Sequence, residues 1–438
     1  MFEHLYDSRV ENATASNRPA LGMQGRLARI CGPGFARPAG AADEVGGVPA
    51  RWVAAPGTAA DAVELLRLAA EHDLAVVPRG AGTKIDWGGA PSRVDLVLDT
   101  GRLAGIEESA DPSTVEVGAG TPLRAVRAVL ARTGRRLTLE PPSADATVGG
   151  VIAADEAGPL RHRYGGPADQ VSAVRYLDAH GAPATVSRGA DVTPAQLLCG
   201  SRGTLGLLLS ATLRVRPAPP SRIWVSHPVW TPLEMHDLVQ GARVEAAEPA
   251  AVEVDLPAVP PRGQRRVAAG TAGAGTLAIL LEGGPADVRE RANWLVDAFG
   301  GDAHATGRPP PWWGRYPAGP TEIAVRIEAP VGELHAVVYA LRDAVGAPVA
   351  VRGSAGLGSV QAALPGDLPP GRAAAILAAL RGVLLARRGR CEVLVAPPRL
   401  WQVTDVRGPR SHRPRAVALK QHFDPQQRFA PGRLPDRE

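Results

Sequence analysis

Residues 76–84 read VVPRGAGTK, two apolar residues and a proline passing straight into a loop with glycine at 80 and 82 and a hydroxyl at Thr83. Glycine tolerates positive φ and lets a ligand approach the backbone closely, so such a loop can turn several N–H groups toward one concentrated negative charge. Arg79 and Lys84 add positive charge beside it. A surface turn between strands accounts for this segment equally well when it is taken alone. Spacing removes the two commonest phosphate loops. GxxxxGK[ST] needs glycine before the lysine, whereas Thr83 precedes Lys84, and GxGxxG fails because Ile85 stands at the third glycine position after Gly80 and Gly82.

Two later segments strengthen the first. In LEPPSADATVGGVIAADEAGPLRHRYGG, residues 139–166, Thr147, Gly149 and Gly150 stand at a predicted helix start, where unsatisfied N–H groups and the helix dipole favour anions. Pro141 and Pro142 keep the approach extended, so the turns at Gly80 and Gly149 can converge on one diphosphate. In CGSRGTLGLLL, residues 199–209, Gly200, Gly203 and Gly206 leave little bulk before an apolar strand, which suits the flank of a large planar ring.

Around these segments the chain reads as mixed α and β structure. Residues 1–46 have little periodicity and are expected to form a poorly ordered leader or a packing arm. The expected first domain, 47–218, opens with a helix near Thr58 carrying Ala62, Leu65, Leu66 and Ala69 on one face. The prolines at 217, 219 and 220 separate it from an expected second domain, 221–397, with an antiparallel sheet and helices on one face. Residues 398–438 read as a short helix and an irregular tail returning to the first domain.

Composition narrows the function classes. The chain has 438 residues, 45% apolar and 21% charged, enough for two or three globular domains. Cys31, Cys199 and Cys391 are widely spaced, so neither a disulfide framework, a zinc site nor an iron–sulfur cluster is suggested. The net charge of +5 comes from scattered arginines with few aromatics between them, which argues against nucleic acid. No apolar run is long enough for a membrane span, and a cytoplasmic protein, held at most at the inner face of the membrane by partners, is expected.

PRGAGTK, PPSADATVGGVIAADEAGPLRHRYG and GSRGTLGLLLSATLRVRP, taken in order, resemble the PCMH-type FAD-binding domain of the vanillyl-alcohol oxidase superfamily. The tail LKQHFDPQQRFAPGRLP is similar to the superfamily's terminal segment, with Ala430 where Asn is usual. The resemblance implies an α+β fold: an FAD domain of two α/β subdomains and a smaller antiparallel-sheet α+β cap. It implies that Pro78, Arg79, Gly80, Ala81, Gly82, Thr83 and Lys84 wrap the FAD pyrophosphate. Pro142, Thr147, Gly149, Gly150 and Ala153 would line the other side, and Gly203, Gly206 and Leu207 would flank flavin or adenosine. The loop from Gly80 to Gly89 has no His and the later anchoring position no evident Cys, so the flavin is expected to be non-covalent.

Within the superfamily, the wording PRGAGTKIDWG and the compact second domain are most similar to the FAD-binding subunits of bacterial glycolate oxidases. That likeness implies a catalytic flavoprotein and an iron–sulfur subunit as partners, with a small 2-hydroxy acid as ultimate donor. Relatives that oxidise such acids unaided carry a His-rich HxGDGNxH stretch. The matching region here, VRGSAGLGSV at 351–360, has no His, Asp or Glu. Weak catalytic candidates remain: Arg352 and Arg326 as carboxylate clamps, and His162 as a base. A catalytically silent subunit stabilised by FAD, and a stand-alone oxidase of an alcohol or sugar, are the alternatives.

Overall fold

The computed structural model describes residues 22–187, 194–240, 242–258, 275–403 and 413–434. Of the expected leader, residues 1–21 lie outside the described residues, while the rest is built into the first domain. Helix α1 (Met23–Cys31) buries Leu27 and Cys31, and β1 (Ala36–Pro38) edges the first sheet. That sheet continues with β2 (Trp52–Ala54), β3 (Val76–Arg79) and β4 (Leu96–Asp99) in the order β1-β2-β4-β3, parallel except for the β1–β2 pair.

Helix α2 (Ala59–Glu71) links β2 to β3 and begins where the sequence says it should. The Thr58 hydroxyl accepts from the Asp61 N–H at 3.1 Å, and the Asp61 carboxylate accepts from the Thr58 N–H, also at 3.1 Å. Its apolar face, Ala62, Leu65, Leu66 and Ala69, is wholly inaccessible to solvent. Each buried leucine contributes about 1.5–3 kcal/mol. Because β3 is covered on both sides, Val76 and Val77 are both buried, and the strand delivers the glycine loop from a rigid base.

The chain then runs through β5 (Ile106–Glu108), β6 (Thr114–Gly118), β7 (Arg135–Arg136), β8 (Val171–Leu177), β9 (Pro183–Ser187), β10 (Leu207–Arg214) and β11 (Arg216–Pro217). Strands β5-β6-β10-β8-β9 form an antiparallel sheet, and β7 pairs separately with β11. Helices α3 (Leu123–Ala131) and α4 (Val148–Ala154) set Val126, Leu130, Val151 and Ile152 into its core.

The second domain is an antiparallel sheet wider than the strands read from sequence. Its members are β12 (Ser221–Val229), β13 (Ala251–Leu256), β14 (Gly275–Gly283), β15 (His304–Thr306), β16 (Ile323–Glu328), β17 (Ala350–Ser354), β18 (Ser359–Leu364) and β19 (Arg390–Val395). They lie in the order β15-β12-β14-β13-β17-β18-β16-β19. Strands β17 and β18 and the helix Pro370–Ala386 are not legible in the sequence, since glycine and alanine recur through these stretches and mask their periodicity. One sheet face carries Val252, Val254, Val351, Val360, Val325, Ile327 and Val393 into a helix-covered core. On the other face the register aligns Asp255, Arg352, Gln361, Arg326 and Glu392 in one row across five strands. That polar face is turned toward the first domain.

The tail closes the first domain. Phe429 is fully buried among the residues of the first sheet's core, and β3 is flanked by bonds from Val76 N–H to Arg428 O at 2.8 Å and from Ala430 N–H to Val76 O at 2.9 Å. Among the described residues no helix is long and apolar enough to cross a membrane.

Candidate functional site

Every predicted cofactor residue except Pro142 lines one cleft, of about 770 Å³ counting its open mouth. The loop after β3 forms one wall. Among the described residues, none of the amide N–H groups of Gly80, Ala81, Gly82, Thr83 and Lys84 finds a hydrogen-bond acceptor in the protein; the next donors along the chain, Ile85 and Trp87, bond back to Gly82 O and Lys84 O. Consecutive unsatisfied amides on one loop are what an oxyanion needs. Gly82 has φ +75°, which a side chain would strain. Gly80 is required for a different reason: a methyl group there would overlap the Thr147 hydroxyl on the opposite wall.

The positive charge expected beside the loop is already spent. Arg79 donates to Asp43 at 2.8 Å and to Asp99 at 3.0 Å, and it ties the loop base to the leader segment and to β4. Lys84 is ion-paired with Glu156; both side chains are buried, at 5% and 1% exposure. Burial lowers the Lys84 ammonium and the Glu156 carboxylate pulls it back up. Both residues therefore brace the loop instead of presenting charge, and the backbone amides are left as its anion donors.

Helix α4 also departs from the expectation drawn from sequence. Thr147 caps it, its hydroxyl accepting from the Gly150 N–H at 3.2 Å, while Val148 N–H donates to Thr121 O at 2.9 Å and Gly149 N–H to Ala119 O at 2.8 Å. The N–H groups expected to be available at this helix start are used internally, because α4 is stitched to the segment after β6. Gly149, Gly150 and Ala153 still line the cleft, and their contribution is the absence of bulk. Gly203, Gly206 and Leu207 line the wall at the start of β10.

Pro142 belongs to a neighbouring cleft, of about 710 Å³, between the first domain and the polar face of the large sheet. The two clefts adjoin where Trp87 lies edge-on to Tyr316, with ring centroids 5.8 Å apart, and the Tyr316 hydroxyl bonds Glu156. Glu156 thus anchors Lys84 on one side and Tyr316 on the other. Burial, with the Glu156 charge behind it, drives the Tyr316 phenol far above its ordinary range, so it stays protonated.

Arg352 lines this second cleft but is held by Asp255 at 2.8 Å and by donation to Tyr316 O at 3.0 Å. Arg326 lines it with no ion pair among the described residues, its guanidinium 5.8 Å from the Trp87 ring centroid. His162 lines neither cleft. It packs against Gly356, its Nδ1 buried without a partner, and burial with Arg163 lowers its imidazole. A methyl group on Gly356 would sit 2.8 Å from that Nδ1, so there is no room for a substrate on that side of the ring.

Sequence reasoning missed Asp43, Glu156, Tyr316 and Glu253. Glu253 lines the second cleft from β13 at 7% exposure, and burial raises its carboxyl to about 8. The region at 351–360 has no acid, yet β13 beside it carries Glu253 and Asp255, opposite Ser354 and Arg352. The alternation in AVEVDL was the available signal.

Comparison with known proteins bears on this geometry. A family model described as an FAD binding domain matches residues 50–187, which hold the glycine loop and α4. Residues 50–187 thus form an FAD binding domain that holds the first cleft's glycine loop. The chain is 29% identical to D-lactate dehydrogenase of Archaeoglobus fulgidus across 170 residues, 38% of each chain. It is 30% identical to D-2-hydroxyglutarate dehydrogenase of Xanthomonas citri across 179 residues, 39% of this chain and 38% of the relative. Glycolate oxidase subunit GlcE of Escherichia coli matches at 34% over 120 residues, 25% of this chain and 34% of its own length. The alignments thus span well under half of these relatives. A solved alkyldihydroxyacetonephosphate synthase shares the fold beyond the FAD domain, with a TM-score of 0.65 at 16% identity over 87% of this chain and 77% of that one.

Proposed function

We propose that the chain holds FAD non-covalently in the first cleft and works as the oxidoreductase component of a 2-hydroxy-acid-oxidising complex of the glycolate oxidase type. Its partners in this reading are a larger catalytic flavoprotein and an iron–sulfur subunit. The carrying observation is the run of unpartnered amides from Gly80 to Lys84 inside a domain whose family binds FAD.

FAD, when bound, accepts and passes on a pair of electrons. The chain's own residues define how it would be held. Backbone donors of residues 80–84 take the diphosphate, and Gly149, Gly150, Gly203 and Gly206 leave room for the rings. Among the described residues neither cleft is lined by His or Cys, and Tyr316 is engaged by Glu156, which supports a non-covalent flavin. The buried Lys84–Glu156–Tyr316 chain keeps the wall between the clefts rigid and dry. Similarity to glycolate oxidase subunits of Escherichia coli and Bacillus subtilis supports the choice of complex. An unpaired Arg326 and a buried acid in the second cleft favour turnover on this chain over a catalytically silent role.

Purified protein is expected to be yellow and to release its flavin on denaturation; a colourless protein that cannot be reconstituted with FAD would overturn the cofactor assignment. A tagged chain purified from its native host should bring down a larger flavoprotein and an iron–sulfur protein. Recovery of the tagged chain alone, with full glycolate-dependent dye reduction, would exclude the complex.

A further inference from the structure

A basic hollow, of about 800 Å³ counting its open mouth, lies where the chain leaves the first domain for the second, and it shares no lining residue with either cleft. It is bounded by α3, β7 and residues 218–222, which lead into β12. Arg127, Arg135, Arg136 and Arg222 line it, against one acid, Glu140. Guanidinium groups gathered around one concavity raise its potential and repel one another until anions answer them. The protein supplies part of that answer. Glu282 on β14 accepts from both terminal nitrogens of Arg136, at 2.7 and 2.6 Å, from Arg222 at 2.9 Å and from the Tyr164 hydroxyl at 2.8 Å, so its two oxygens are saturated. Glu140 stands 3.6 Å from Arg222. Two carboxylates thus answer two arginines, Arg136 and Arg222.

Arg127 is left over. Among the described residues it has no ion pair, and its guanidinium donates to Leu139 O, an uncharged partner. Burial lowers the Arg127 guanidinium below its ordinary range, Glu140 pulls it back up and Arg222 pushes it down again. A guanidinium carries five N–H donors, so a single carbonyl leaves most of them for a ligand. Arg135, on β7, adds a second guanidinium to the lining while donating to the Thr133 hydroxyl at 2.9 Å and to Pro112 O at 3.3 Å. The carbonyls of residues 129–131, which end α3, accept from the N–H groups of Arg132, Thr133 and Gly134, so these acceptors are spent. The remaining lining, Ala131, Leu137, Ala218 and Pro219, is apolar.

We propose that this hollow binds a phosphate-type oxyanion, either free phosphate or the phosphate group of a small organic ester, through Arg127 together with Arg135 and Arg222. Arginine forks match the oxygens of a phosphate two at a time, and a dianion answers the cation that the protein's own carboxylates leave over. Because Arg127 is on α3 and Arg222 is on β12, the bound anion is held by both domains beside the prolines that join them. The assignment is independent of the FAD reading.

The test is calorimetry on the chain as purified, at pH 8 and constant ionic strength, with inorganic phosphate and phenyl phosphate as probes and acetate as the singly charged control. Phosphate should bind and acetate should not over the same concentrations. Arg127→Gln should weaken phosphate binding by about tenfold or more, the loss expected for a charge-assisted hydrogen bond. Ala131→Glu sets a carboxylate at the exposed end of α3, on the rim of the hollow, and should abolish binding without disturbing the fold. If Arg127→Gln does not fold, Ala131→Glu decides. Phenyl phosphate distinguishes the sources: tighter binding than inorganic phosphate means an organic ester seated on the apolar lining, and equal binding means free phosphate. No phosphate binding, binding no stronger than that of acetate, or binding unchanged in either variant would overturn the proposal. Flavin absorbance on the same samples keeps the two readings apart. A yellow chain that ignores phosphate defeats only this inference, and a colourless one whose phosphate binding is lost in Ala131→Glu defeats only the FAD assignment.

Discussion

The two clefts share a wall but are built by opposite means. The first is a backbone site: its donors are main-chain amides, its glycines make room, and the charged side chains at the loop, Arg79 and Lys84, are consumed as struts. The second is a side-chain site on the face of a sheet, where a row of charged and polar residues spans five strands and the buried acid Glu253 keeps one oxygen without a partner. A backbone site tolerates change in charge but not in bulk. A side-chain site should behave the other way round.

The largest expected effect on flavin binding is therefore steric. Gly80→Leu drives a branched side chain into Thr147, and an overlap costing about 1–3 kcal/mol or more should lower FAD affinity at least roughly tenfold. Flavin absorbance per chain checks this; wild-type flavin content would show that the loop is not the cofactor cradle. Next comes Glu156→Gln, which leaves the Lys84 ammonium buried without its counter-charge. Breaking a buried pair from one side typically costs about 3–5 kcal/mol, so the urea midpoint should fall markedly. An unchanged midpoint would mean that Lys84 finds water and that the shared wall is softer than described.

The backbone site could be read from sequence because its cause is local. Glycines at 80 and 82 after an apolar strand, and the capping pair Thr58–Asp61, act within a few residues of chain. What holds the loop is not local: Arg79 meets Asp43 across 36 positions and Lys84 meets Glu156 across 72, and no period in the sequence encodes such distances. For the same reason Arg79 and Lys84 looked like ligand-binding charges. Alternation in AVEVDL places Glu253 and Asp255 on one face of β13, but a central strand covered on both sides does not announce which face meets a cleft. Only the docking of the two domains decides that.

A smaller effect sharpens the side-chain half of the comparison through pH. The Glu253 carboxyl is raised from an ordinary 4.5 to about 8 in the folded chain, so between those values the native state holds a proton that the unfolded chain releases. Stability must then fall as pH rises from about 4.5 to 8, with the loss complete above 8 and a total of a few kcal/mol at most. Glu253→Gln should remove that slope, and denaturant titrations at pH 5.5 and 8.5 measure it. A variant with the wild-type slope would place the titration on another group.

Thr147→Ala carries the smallest effect and separates capping from cofactor binding most finely. The hydroxyl caps α4, and its loss should cost about 1 kcal/mol. Because the amides that begin α4 bond to protein and not into the cleft, flavin content should stay near the wild-type level. The same hydroxyl is what a methyl group at Gly80 would strike, so Gly80→Ala and Thr147→Ala should not add. Gly80→Ala alone should be destabilised and flavin-poor, and Gly80→Ala with Thr147→Ala should regain flavin, since the overlapping atom is gone. Strict additivity would mean that the two walls of the first cleft do not meet at this point and that Gly80 is required for some reason other than its distance from Thr147.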